Sequence, residues 1–142
     1  MSNVQRIQLG QESVPLEQGR STHGRWRCAF QHAEPPIDDG EPLRAALVVV
    51  QDAARLAFAL ATGPAAAVVS ERLADYLWTR ETAHEDWPQN VRDWLNDPTR
   101  WADAPPGTTN LICGRLERQI AGGRLYLAWL GSSGIRLLDR AQ

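Results

Sequence analysis

Two continuous apolar runs, Ala45–Val50 and Leu56–Ala61, stand near the middle of the chain, separated by Gln51-Asp-Ala-Ala-Arg55. Apolar runs of this length on either side of a short polar connection predict two strands buried on both faces and joined as a hairpin. The period then changes. After Thr62-Gly63-Pro64, apolar residues recur at Val69, Leu73, Tyr76 and Leu77, one stripe of an amphipathic helix near 64–79 with Pro64 in its first turn. Trp87, Val91, Trp94 and Leu95 repeat that stripe and predict a second helix near 87–96, with Asp86 as its cap and Gln89 completing a capping box. At this spacing Trp87 and Trp94 read as core, whereas Trp101, beside the Asp-Pro and Pro-Pro breaks, reads as the exposed tryptophan.

Strand patterning returns after Ala104-Pro-Pro-Gly107, near 110–118, 124–130 and 135–139, with Gly122-Gly123 and Ser132-Ser-Gly134 as turns. Upstream, alternation from Trp26 predicts a strand near 26–31, and the prolines between Ala33 and Pro42 predict a loop. Residues 1–19 are polar with weak alternation over Val4–Leu9, and read as an N-terminal arm or edge strand ahead of one domain over 20–142. Strands, two helices and then a β-meander imply a layered α+β fold, antiparallel sheet with both helices packed on a sheet face.

Composition narrows the classes. The 142 residues suffice for a real core, and a net charge of −2 exerts no strong pull toward nucleic acid or anionic membrane. All 15 basic residues are arginine, scattered without a basic run, which reflects base composition of the gene more than function. Cys28 and Cys113 are far apart, have no metal spacing, and read as buried thiols. The N-terminus lacks an apolar signal core and no run is long enough to span a bilayer, so the default compartment is the cytoplasm.

Three stretches carry a resemblance. They are Gly24-Arg-Trp-Arg-Cys-Ala-Phe-Gln-His-Ala33; Leu56-Ala-Phe-Ala-Leu-Ala-Thr-Gly63; and Pro106-Gly-Thr-Thr109 followed by Gly123-Arg-Leu-Tyr-Leu-Ala-Trp-Leu-Gly-Ser-Ser133. In this order the chain over roughly 20–140 resembles the first part of the metal-dependent Ser/Thr protein phosphatases of the PP2C type. That family's pattern runs G-x-x-R-x-x-N-E-D-A, an apolar strand ending in Asp-Gly, a helix, G-T-T, and a strand ending in G-D-S-R. The resemblance implies a β-sandwich flanked by helices, of which this chain would hold only a part. Gly24, Arg27 and Ala33 match the first pattern, but Phe30, Gln31 and His32 stand for Asn-Glu-Asp, Thr62 for the Asp before Gly63, and Ser132 for the last Asp.

In that family two divalent ions hold the attacking water. Hard cations such as Mg²⁺ or Mn²⁺ require anionic oxygens. An amide at Gln31, an imidazole at His32 and a hydroxyl at Thr62 remove the charge, leaving only the Gly63 carbonyl among those positions. The resemblance therefore implies a degenerate metal site, no bound metal or other cofactor, and no catalytic residue. His32 reads as a neutral polar residue at a strand end, since His23 and His84 lack zinc-ligand spacing to it. Arg27 falls on the family's phosphate-contacting arginine, and its fork suits a phosphate; as an ordinary strand residue it would pair with Glu34 or Asp52.

The resulting expectation is a pseudophosphatase: an inactive binding or regulatory module, with a phosphoprotein or phosphate ligand held through Arg27. Two alternatives stand beside it. One is a divergent Ser/Thr phosphatase using Mg²⁺ or Mn²⁺, its acids coming from Glu34, Asp38, Asp39 or a further segment. The other is a structural subunit without a pocket. A shortened sandwich leaves sheet edges and apolar surface uncovered, so a protein partner, a further domain or a second copy is expected, and neither nucleic acid nor membrane.

Overall fold

The computed structural model describes residues 4–10, 16–23, 26–33, 45–79, 86–107 and 109–131, with 16–23 and 26–33 described by their backbone. In chain order the elements are β1 (Gln5–Leu9), β2 (Leu16–His23), β3 (Trp26–Ala33), β4 (Ala45–Gln51), β5 (Arg55–Thr62), α1 (Ala66–Thr79), α2 (Trp87–Leu95), a 3₁₀ turn (Pro98–Trp101), β6 (Asn110–Gln119) and β7 (Gly122–Leu130). Five strands form one sheet in the order β1-β4-β5-β6-β7, and β2 and β3 form a separate two-stranded sheet. Every pairing is antiparallel. The chain is α+β, with two helices packed on the larger sheet. The strand expected at 135–139 lies outside the described residues, as does the expected loop from residue 34 to 42, while Ala33 ends β3.

The register sorts β5 by size. Ala57, Ala59 and Ala61 face α1, while Leu56, Phe58 and Leu60 take the opposite face. The helix-side layer continues through Val48 and Val50 of β4 and Leu111 and Cys113 of β6. Small alanines let α1 lie close, so Leu73, Ala74 and Leu77 are fully buried against them. The β4–β5 connection is an Asx turn: the Asp52 carboxylate accepts from the N–H groups of Ala54 (2.8 Å) and Arg55 (2.9 Å).

Helix ends are held by the sheet. No basic residue lies in the last turn of α1. Instead Arg115 of β6 donates to the Leu77 carbonyl (3.0 Å), and Arg55 of β5 donates to the Trp78 carbonyl (3.1 Å) while its guanidinium lies 4.1 Å from the Trp78 ring centroid. These donors satisfy carbonyls that a helix terminus leaves open.

Two expectations change. Asp86 precedes α2 but makes no side-chain cap bond, and Gln89 donates forward to Asp93 (2.7 Å) rather than back to the cap. Pro88 in the first turn removes one of the donors a cap would serve. Trp101 is half-buried: its indole N–H donates to the Leu95 carbonyl (2.8 Å) and its ring meets Trp94 edge-on at 5.5 Å. Among the tryptophans whose side chains are described, the one that faces solvent is Trp129 on β7, 65 % exposed.

Candidate functional site

The larger sheet has two chemically different ends. At one end β5 finishes, β6 begins and β7 finishes. Thr62 pairs with Ala45 on one side and with Asn110 on the other, and Leu111 pairs with Leu130. By alternation Thr62 and Asn110 share the face turned away from the helices. The chain leaves β5 through Gly63, whose φ of 121° is a conformation side chains disfavour, and the Gly63 carbonyl accepts from the Ala66 N–H (3.1 Å) to start α1. That carbonyl, expected as the surviving metal-facing group, thus closes a turn.

Gly107, the glycine of the Gly-Thr-Thr stretch, lies against the same corner: a Cβ there would sit 2.7 Å from the Pro64 ring. Gly131, where β7 ends, has φ 90°, and a Cβ on it would fall 1.8 Å from the Asn110 carboxamide oxygen. Both glycines hold a positive φ, 141° at Gly107 and 90° at Gly131, that strains any other residue, and the close neighbours add to the preference. The fold brings together Thr62-Gly63 from the second of the sequence stretches singled out above and Gly107 and Gly131 from the two pieces of the third, with Asn110 between them. Every one of these residues is neutral, and among the described residues no three of His, Cys, Asp and Glu are grouped so as to hold a metal.

The other candidates lie on the hairpin. Arg27 pairs with Thr22, Gln31 with Gln18 and His32 with Glu17 in the β2–β3 register. Among the described residues no strand pairing links that hairpin to the Thr62 end of the larger sheet. Ser132, Glu34, Asp38 and Asp39 lie outside the described residues.

The opposite sheet end is charged. Arg115 forms an ion pair with Glu117 (Nε–Oε1 2.7 Å), and Arg55 lies 3.9 Å from Asp52. Burial lowers the Arg115 pKa, and the Glu117 carboxylate acts against that shift. Beside it, burial alone pushes the Cys113 thiol up to about 12. The arginines hold the end of α1 in place, and the buried Cys113 thiol keeps its proton near neutrality.

Two surface concavities lie among the described residues. One, about 490 Å³, lies between the helices and is lined by Arg72, Asp75, Tyr76, Thr79, Trp94 and Arg100. It has the aromatic and cationic residues of an anion site, but they are engaged with each other. Tyr76 stacks on Trp94 at 4.6 Å, and the Arg100 guanidinium lies 4.6 Å from the Trp94 ring centroid. Arg72 grips Asp103 bidentately (2.9 and 2.7 Å) and donates to the Arg100 carbonyl. The Arg72 guanidinium accordingly holds the Asp103 carboxyl below the usual range. The second, about 680 Å³, is an apolar groove between α2 and the end of β7, with Val91, Leu95, Leu127 and Leu130 among its walls.

Asn110 was not singled out by the sequence patterns, whereas Gly131 stands in the quoted stretch Gly123–Ser133. The available signal for Asn110 was a polar residue directly after Gly-Thr-Thr. No protein-family model matches the chain, and no curated protein or solved structure matches it.

Proposed function

We propose that the chain is a catalytically inactive relative of the PP2C-type phosphatases, a pseudophosphatase acting as a binding or regulatory module with a protein or phosphoprotein partner. One observation supports the reading: Thr62-Gly63, Gly107 and Gly131, three points of the motif order, converge at one sheet end with no carboxylate among them. A neutral corner cannot offset the dehydration of two hard divalent cations. Arg27 is the residue proposed to keep a phosphate contact.

Titration calorimetry with Mn²⁺ and with a phosphoserine peptide, beside an aryl-phosphate hydrolysis assay, tests this. The expected results are no stoichiometric metal binding, no metal-stimulated hydrolysis, and peptide binding that Arg27→Ala abolishes. The combined change Gln31→Glu, His32→Asp and Thr62→Asp is expected to create measurable Mn²⁺ affinity. Mn²⁺-dependent turnover in the unaltered chain, lost on Asp38→Asn or Asp39→Asn, would establish the divergent enzyme instead. Absence of peptide binding would leave only a structural role.

A further inference from the structure

We draw no further inference here: the strongest candidate, the apolar groove between α2 and the end of β7, opens where the chain runs on past Gly131, and nothing in the structure shows what covers it.

Discussion

Cys113 has no measurable exposure, and it lies between Ala59 of β5 and Ala128 of β7 under the helix layer. Its thiol pKa is raised by burial to about 12, against an ordinary value of 9.0. A thiol ionises more readily once the chain unfolds. Below about pH 9 both states keep the proton and the group has no effect on stability. Between about pH 9 and 12 the unfolded state loses the proton first, so stability falls with rising pH by up to about 1.4 kcal/mol per unit. Urea unfolding at pH 8 and pH 10 should therefore show a larger loss for the parent than for Cys113→Ala, which removes this dependence. At pH 8 a disulfide reagent should leave Cys113 unlabelled until the chain is unfolded. Gly114, next along, has no such latitude. A Cβ there would sit 2.6 Å from the Phe58 ring and 2.8 Å from both the Leu127 side chain and the Tyr126 carbonyl. Gly114→Ala should destabilise the chain by about 1–3 kcal/mol, measured by the urea midpoint, because part of the contact is backbone.

At the scale of elements, the last turn of α1 depends on arginines from two strands. Arg115 is 2 % exposed, and it binds both Glu117 and the Leu77 carbonyl. Arg115→Met keeps most of the volume but leaves a carboxylate and a helix carbonyl without their donor, at an expected cost of about 3 kcal/mol. The double change Arg115→Met with Glu117→Leu should recover part of that loss in thermal unfolding, since no unpaired charge then remains. Both helices and the central strands were legible from the sequence, because the stripe through Val69, Leu73 and Leu77 and the run Leu56–Ala61 have periods that belong to one element type each. The ends were not legible. Asp86 and Gln89 match a capping pattern, yet Pro88 and Asp93 redirect both groups, and arginines 38 and 23 residues from their carbonyls leave no local sequence signal. β2 was equally silent, since Leu-Glu-Gln-Gly-Arg-Ser-Thr-His has no apolar alternation and gains its strand character from pairing with β3. The Thr62 corner was half legible. Gly63 and Gly107 follow from the motif order, but Asn110 joins them only through the β5–β6 register.

At the scale of the whole molecule, the sheet is asymmetric in a way that residue sizes along β5 already encode. Alanines at 57, 59 and 61 make a shallow floor for α1, while Leu56, Phe58 and Leu60 build up the other face. No described helix is long and apolar enough to cross a bilayer. The same substitution chemistry should therefore have opposite consequences one residue apart. Ala59 is 1 % exposed beneath α1, and Ala59→Leu forces added volume into a closed contact. The expected cost is about 1–3 kcal/mol, with faster hydrogen exchange in the α1 amides as the helix is lifted. Leu60 is 37 % exposed on the opposite face, and Leu60→Thr removes apolar area from a β position without opening a closed cavity. Its cost should stay below about 1 kcal/mol, and the α1 amides should keep their protection. Equal losses for the two variants, or loss of α1 protection in Leu60→Thr, would mean that the helices do not lie on the alanine face, and the division of the sheet into a helix-bearing alanine side and a side of larger residues would fall with it.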